Sequence, residues 1–167
     1  MTFIIVMGVS GCGKSTVAAM LAGRLGWDFT EGDALHPPAN VEKMRQGIPL
    51  SDDDREPWLR DIAATIEGWR QAGQSGIIAC SALRRRYREI IAAGHEDVHF
   101  VYLRGSFTLI ESRLAARQGH YMPVSLLDSQ FATLEEPTAE ENAITIDTGA
   151  PAPELVNEVV ARLHLAA

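Results

Sequence analysis

Short apolar runs alternate along the chain with longer segments in which apolar residues recur every three or four positions. The apolar runs predict β-strands at residues 3–7, 27–30, 77–80, 98–103 and 143–147. The periodic segments predict helices at about residues 16–25, 38–47, 55–72, 84–94, 106–117, 125–134 and 153–165. Strands that alternate with helices through short loops form parallel sheets, so the pattern predicts a three-layer α/β/α sandwich with a five-stranded parallel sheet.

The longest predicted helix, residues 55–72, has one apolar face. Its apolar residues recur at helical steps and are Leu59, Ile62, Ala63, Ile66 and Trp69. Asp52, Asp53 and Asp54 stand just before it, and because acids favour a helix N-terminus we interpret them as its cap and first turn. A metal site built from the three aspartates is the alternative. Trp58 and Trp69 are expected in the core or at a subunit interface.

Composition indicates a small globular protein that binds neither nucleic acid nor membrane surfaces. The chain has 167 residues, a net charge of −7 and a pI near 5.2, so no overall cationic surface exists for such partners. We predict one domain, residues 1–167. The apolar runs are too short to span a membrane, the two cysteines lie outside any metal-type spacing, and the first strand begins near Met1. We therefore expect a cytoplasmic protein.

The loop after the first predicted strand fits the phosphate-binding consensus G-x-x-x-x-G-K-[S/T], with a strand before it and a helix after it. Glycines let its backbone point N–H groups at anionic oxygens, and the helix N-terminus adds positive partial charge. We therefore predict that the chain binds a nucleoside triphosphate, with Lys14 as a catalytic cation on the phosphates and Ser15 as a ligand of Mg²⁺. The predicted nucleotide-binding residues of this loop are Gly8, Val9, Ser10, Gly11, Cys12, Gly13, Lys14, Ser15 and Thr16.

A pair of carboxylates, Glu31 and Asp33, follows the second predicted strand. Because parallel strands end at one edge of a sheet, Asp33 is expected near the γ-phosphate, where it is our candidate for orienting and deprotonating an attacking hydroxyl. This pair favours a small-molecule kinase over the other P-loop classes, namely GTPase switches, ATPase motors and regulatory nucleotide sensors. The sequence also lacks the guanine-binding motif N-K-x-D and is short for a motor.

Several sequence blocks, in order and across nearly the whole chain, resemble gluconokinase. They lie at residues 8–16, 31–37, 40–44, 47–59, 80–88, 111–120 and 130–137. The resemblance implies the P-loop fold of nucleoside-monophosphate and shikimate kinases, ATP and Mg²⁺ as cofactors, D-gluconate as the substrate phosphorylated at its 6-hydroxyl, and a homodimer. Two positions depart from the usual pattern: Cys12 stands where serine is common, and Glu31 stands where aspartate is common. The second departure bears on a water-mediated contact to Mg²⁺.

The resemblance also assigns roles to charged residues. Arg113 and Arg117 lie four residues apart on one helix face. In related kinases this spacing places one arginine against adenine and the next on the phosphates, at the base of a lid that would here be residues 117–134. Gluconate needs cations for its carboxylate and polar groups for its hydroxyls. The implied substrate-binding residues are Asp33, His36, Lys43, Arg55, Arg84, Arg88 and His120, with Arg55 and Arg88 as the leading carboxylate partners.

Two alternatives to a gluconate kinase stay open at this point. One is another small-molecule kinase of the same fold, such as a shikimate or nucleoside-monophosphate kinase. The other is a regulatory protein that uses its P-loop as a nucleotide switch. Asp33 and the arginine pair disfavour the switch, because a sensor needs no base beside the γ-phosphate.

Overall fold

The computed structural model describes residues 1–116 and 124–166. The strands are β1 Phe3–Met7, β2 Asp28–Glu31, β3 Gly76–Ala79, β4 Val98–Arg104 and β5 Ala143–Asp147. The helices are α1 Lys14–Leu25, α2 Pro38–Arg45, α3 Asp52–Gln71, α4 Arg85–Ala92, α5 Phe107–Ala116, α6 Val124–Thr133 and α7 Ala152–Arg162. The predicted strands and helices are all confirmed, with ends that shift by a few residues. Two short 3₁₀ helices, Gly32–Leu35 and Ala139–Glu141, were not predicted.

The five strands form one parallel sheet in the order β2-β3-β1-β4-β5. The predicted parallel sheet is therefore confirmed, and its central strand β1 carries the phosphate-binding loop at its carboxyl end. The carboxyl ends of β2 and β3 lie at the same edge because all five strands run in one direction. That edge is where the chemistry-bearing loops meet.

Successive residues of the central strands face opposite sides of the sheet, as the two-residue period of a strand requires. Ile4 and Val6 of β1 belong to a core shared with α1 and α7, whereas Ile5 belongs to a core shared with α3 and α4. Both faces are buried, which explains why these strands are continuous apolar runs. The structure thus has helices on both faces of the sheet and confirms the three-layer sandwich.

Ser51 is the N-cap of α3, and the acidic cluster Asp52, Asp53 and Asp54 forms the first turn of that helix. The Ser51 hydroxyl accepts a hydrogen bond from the Asp54 N–H at 3.1 Å, and the Ser51 N–H donates to Asp54 Oδ2 at 2.9 Å. This reciprocal capping box satisfies two N–H groups that the helix itself leaves without partners. The helix-cap interpretation of the cluster is confirmed.

Among the described residues, no helix combines the length and apolar character needed to cross a membrane.

The amino end of β3 is held by an aromatic contact that only glycine permits. A Cβ at Gly76 would lie 2.3 Å from Cε3 of Trp69, well inside contact distance. Trp69 also stacks on Phe3, with ring centroids 6.5 Å apart and planes at 8°. The end of α3 therefore packs directly onto the sheet, and Trp69 is a packing residue as predicted.

Replacement of two glycines near this contact should have opposite effects. Gly76→Ala should lower the free energy of unfolding by about 1–3 kcal/mol, because the tryptophan ring must shift to admit a methyl group. Gly68→Ala is the matched control, since it lies exposed within α3 with nothing within 4 Å, and it should raise that free energy by about 0.5–1 kcal/mol. Urea unfolding followed by circular dichroism measures both, and equal effects would contradict this account.

Candidate active site

The phosphate-binding loop joins the buried end of β1 to the first turn of α1. Its tight course depends on Gly8, with φ of 147°, where a Cβ would lie 2.7 Å from the Cys12 sulfur. Gly13, at φ of 93°, occupies the N-cap of α1 and supplies no side chain to that helix. The first N–H groups of α1 therefore have no side-chain cap and point toward the loop. This is the arrangement in which a helix N-terminus binds a phosphate group.

Two distant side chains brace this loop. The Thr148 hydroxyl, just after β5, donates to the Cys12 carbonyl at 2.6 Å and accepts from Arg113 Nη1 at 3.1 Å. Arg113 Nη2 also donates to the Thr148 carbonyl. Gln130 of α6 accepts from the Ser10 N–H at 2.7 Å and donates to the Ser10 hydroxyl at 3.1 Å. Arg113 thus lies beside the nucleotide loop, where it positions Thr148, and its contact with adenine stays a prediction.

Asp33 lies on the 3₁₀ helix that follows β2, and that helix is tied closely to the sheet. A Cβ at Gly32 would lie 2.6 Å from the Ala79 carbonyl oxygen of β3, so only glycine fits there. Trp58 Nε1 donates to the Gly32 carbonyl at 2.8 Å. Because β3 lies between β2 and β1, the strand ends that carry Asp33 and the phosphate loop are about 10 Å apart across the sheet. That separation accommodates a phosphoryl group and an attacking hydroxyl between them.

Three charged residues at this edge, Glu31, Asp33 and Lys14, influence the Cys80 thiol at the end of β3. Burial is the main reason why the pKa of the Cys80 thiol rises to about 12; the Asp33 and Glu31 carboxylates act in the same direction, whereas the backbone hydrogen bond from Ala82 and the charge of Lys14 oppose the rise. The thiol is therefore inert at neutral pH. Lys14, Glu31 and Asp33 are therefore all near enough to the end of β3 to influence this thiol.

His36 is held as a neutral hydrogen-bond donor. Its ring stacks on Trp58, with centroids 4.0 Å apart and planes at 17°. The Asn40 amide donates to the Asp54 carbonyl at 2.8 Å, which fixes that amide's orientation, and its nitrogen lies 3.3 Å from His36 Nδ1. Nδ1 therefore accepts and the ring proton resides on Nε2. Burial lowers the pKa of His36, the Arg55 charge lowers it too, and Asp33 opposes both.

Three predicted substrate-binding cations line the same rim on three different helices. Lys43 of α2 contacts both Asp54 carboxylate oxygens, at 3.0 and 2.9 Å, and this bond is the main reason why the pKa of Asp54 falls to about 2. Arg55 of α3 donates from Nη1 to the Tyr87 hydroxyl at 3.0 Å. Arg84 is exposed at the N-cap of α4. Lys43, Arg55, Arg84 and His36 are thus connected, by contacts or by charge, to the aspartates at the start of α3.

The structure contradicts the prediction that Arg88 binds the substrate carboxylate. Its side chain is 1% exposed, and Nε donates to Glu141 Oε1 at 2.7 Å. Nη1 donates to the Ala82 carbonyl and Nη2 to the Glu135 carbonyl, each at 2.8 Å. No part of the guanidinium faces solvent, so the prediction of Arg88 as a leading carboxylate partner is wrong. Instead it joins the loop after β3 to the segment that follows α6.

The buried Glu141 partner is ionised despite its surroundings. Burial raises its pKa, but the bonds from Arg88 and from the Thr138 N–H outweigh burial, so the net shift is downward. A buried carboxylate of this kind depends on its cation. Arg88 and Glu141 therefore form a structural pair.

Four residues of the site had no role assigned from sequence: Asn40, Tyr87, Gln130 and Thr148. Asn40 stands four residues after His36, a spacing that indicates a shared helical face. Tyr87 stands within the arginine-rich block. Gln130 and Thr148 meet the phosphate loop only through the fold, and no sequence signal identifies them.

The oxygen donors present suit a magnesium ion that arrives with a nucleotide. Ser15 is exposed at the start of α1, with the phosphate loop beside it. Among the described residues, no group of three or more histidine, cysteine, aspartate or glutamate side chains forms a metal cage of its own. Mg²⁺ commonly takes few protein ligands and completes its shell with phosphate oxygens and water.

Two further predicted site residues, Arg117 and His120, lie outside the described residues.

Removal of the charge should affect stability strongly at Arg88 and hardly at all at Arg84, the N-cap of α4. Arg88→Met should lower the free energy of unfolding by about 3–5 kcal/mol, because it leaves Glu141 buried without its cation. Arg84→Met, the exposed control at the N-cap of the same helix, should change stability by less than about 0.5 kcal/mol. Chemical denaturation measures both, and a stable Arg88→Met variant would show that Arg88 is not structural.

Comparison with known proteins identifies the family. A family model described as an AAA domain matches residues 3–137. The gluconokinase of Gluconobacter oxydans is 49% identical over 160 residues, which cover 96% of this chain and 89% of that protein. A sugar kinase from Janibacter sp. HTCC2649 is 43% identical, with a TM-score of 0.93 over 99% of this chain and 96% of that one.

A gluconokinase structure from Sinorhizobium meliloti is likewise 43% identical, with a TM-score of 0.89 over 98% of this chain and 91% of that one. These similarities extend over nearly the full length of each chain. With that extent of similarity, the chain belongs to the gluconokinase family of P-loop kinases.

Proposed function

We propose that this protein transfers the γ-phosphoryl group of ATP to the 6-hydroxyl of D-gluconate. One observation carries the proposal: Asp33 and the phosphate loop follow parallel strands of one sheet edge, and His36 lies near enough to Asp33 and Arg55 for both charges to influence its pKa. A sugar acid presents a carboxylate for the cations and hydroxyls for the remaining polar groups. Membership in the gluconokinase family supports the same substrate.

On the donor side, the N–H groups of the loop and of the first turn of α1 bind the phosphates. Lys14 contacts the β- and γ-phosphates and withdraws charge from the group being transferred. The Ser15 hydroxyl would hold Mg²⁺, which when bound neutralises phosphate charge. Arg113 and Gln130 keep the loop in place through Thr148 and Ser10.

On the acceptor side, Asp33 accepts the proton of the attacking hydroxyl as the bond to phosphorus forms. His36 donates from Nε2 to a substrate hydroxyl, since its Nδ1 is already occupied by Asn40. Arg55 and Arg84 bind the substrate carboxylate, and Lys43 contributes its remaining donors while it is anchored on Asp54. The rim thereby fixes the sugar acid with its far hydroxyl toward the γ-phosphate.

Further features belong to the same proposal. Arg117 neutralises charge in the transition state, His120 contacts substrate or phosphate, and residues 117–134 form a lid segment whose closure excludes water. In the described part of that segment, Leu127 of α6 is buried in the core, so α6 supplies a fixed base for such movement. We also propose that the protein is a cytoplasmic homodimer.

An acceptor screen tests the substrate. With ATP and Mg²⁺, the protein should form ADP at least about a hundredfold faster with D-gluconate than with shikimate, AMP or no acceptor, because only gluconate matches both the cationic rim and the hydroxyl donors. A coupled ADP assay measures the rates. Equal rates across the acceptors would contradict the proposal, and a preference for shikimate would favour the alternative kinase.

Asp33→Asn should lower kcat by about a hundredfold or more while the Kd for ATP stays nearly unchanged, because the amide cannot take the hydroxyl proton. Asp53→Asn makes the same chemical change at an exposed position of α3 and should retain full turnover. Steady-state kinetics and nucleotide titration measure these effects. Full turnover in Asp33→Asn would remove Asp33 from the catalytic role.

A further inference from the structure

The hydroxyl of Tyr87 is a buried polar group that the proposed reaction does not yet use. The side chain lies in α4 and is 3% exposed. Its oxygen is 3.0 Å from Arg55 Nη1 and 2.6 Å from Asp52 Oδ1. A guanidinium only donates and a carboxylate only accepts, so the hydroxyl accepts from Arg55 and donates to Asp52. The directions of both bonds are thereby fixed.

These bonds hold one end of the Arg55 guanidinium and leave the other end available. Nη1 is bonded to Tyr87, and Cζ lies 5.5 Å from the centroid of the Tyr87 ring. Within the described part of the chain, Nε and Nη2 of Arg55 have no hydrogen-bond partner. This free edge has the two-donor geometry that pairs with a carboxylate.

The charges around this contact favour one more anion. The Tyr87 hydrogen bond lowers the pKa of Asp52, and Arg84, Arg86 and Arg55 lower it further, so the carboxylate is ionised. Arg60 and, from this group, Arg86 also lower the pKa of Glu56, so the three arginines are close to two carboxylates, those of Asp52 and Glu56. A bound carboxylate would offset the remaining positive charge.

We propose that Tyr87 is a positioning residue for acid acceptors: its hydroxyl, itself oriented by Asp52, turns Arg55 so that Nε and Nη2 face the substrate carboxylate. The proposal rests on the role assigned above to Arg55. It makes Tyr87 a determinant of the preference for an acid over the corresponding uncharged polyol. Tyr87 acts through Arg55 and does not contact the reacting atoms.

Tyr87→Phe tests this directly, because it keeps the buried ring and removes only the hydroxyl. The KM for D-gluconate should rise about tenfold, while kcat and the KM for ATP stay within about twofold, since a hydrogen bond to a charged group is lost on the acceptor side alone. The ratio of kcat/KM for D-gluconate to that for D-glucitol, which lacks the carboxylate, should fall by a similar factor. A merely structural hydroxyl would alter the urea midpoint and leave these kinetic ratios unchanged.

Tyr102→Phe is the matched control. Tyr102 is equally buried at 3% exposure, but it lies on β4, and the carboxylate that adds to the effect of burial in raising the pKa of its hydroxyl is Glu136, which is not a residue of the acceptor rim. This variant should leave the KM for D-gluconate within about twofold of the wild type. If both tyrosine variants raise that KM equally, the effect belongs to general loss of buried hydrogen bonds and the proposal is overturned.

A double-variant cycle tests whether Tyr87 acts through Arg55. Arg55→Met should raise the KM for D-gluconate, and adding Tyr87→Phe should raise it by no more than about twofold further. Independent, multiplying effects would overturn the proposal. Should Tyr87→Phe fail to fold, Asp52→Asn is the substitute, because it weakens the hydrogen bond that orients the Tyr87 hydroxyl. An unchanged KM for D-gluconate in Asp52→Asn would also overturn the proposal.

The wild-type acceptor screen separates this proposal from the proposed function. If the wild type prefers D-gluconate and Tyr87→Phe leaves its KM unchanged, only the role of Tyr87 fails. If the wild type prefers another acid, a raised KM for that acid in Tyr87→Phe supports the positioning role although the substrate was misassigned. If the wild type shows no preference for acids over uncharged acceptors, both proposals fail.

Discussion

The close packing of Gly32 on the carboxyl end of β3 is the constraint on which the acceptor half of the site depends. It leaves no room for a side chain, because a Cβ would lie 2.6 Å from the Ala79 carbonyl oxygen. Trp58 adds the bond to the Gly32 carbonyl and carries the His36 ring on its face. A single buried tryptophan therefore orients both the candidate base segment and the histidine donor, so these two groups cannot move independently.

The cations of the acceptor rim are held before a substrate arrives. Lys43 is anchored on Asp54, and Arg55 is anchored on the Tyr87 hydroxyl, which is itself bonded to Asp52. Long side chains lose conformational freedom when they bind a ligand, and such internal partners reduce that entropic cost of binding. The aspartates at the start of α3 therefore have two structural effects: they cap that helix and they order the rim.

The donor loop depends equally on residues far from it in sequence. Thr148 after β5 and Gln130 of α6 each bond to its backbone. Arg88 bonds to the segment just after α6 and to the loop after β3. The base of the proposed lid is thus fixed both to the phosphate loop and to the helix that carries Tyr87. Contacts of α6 and of the segment just after it therefore hold both halves of the site.

The phosphate loop and the order of strands and helices were determined by the sequence alone, because a contiguous motif and a residue period are local properties. The shared edge of Asp33 and the loop also followed from sequence, since parallel strands end together. The roles of the arginines did not follow. Arg84 and Arg88 are alike in sequence, and only the packing of α4 buries one of them against Glu141, which lies far along the chain. Contacts among distant residues select the face of a helix that becomes core, so the tertiary structure alone decided which arginine supports the fold and which stays exposed.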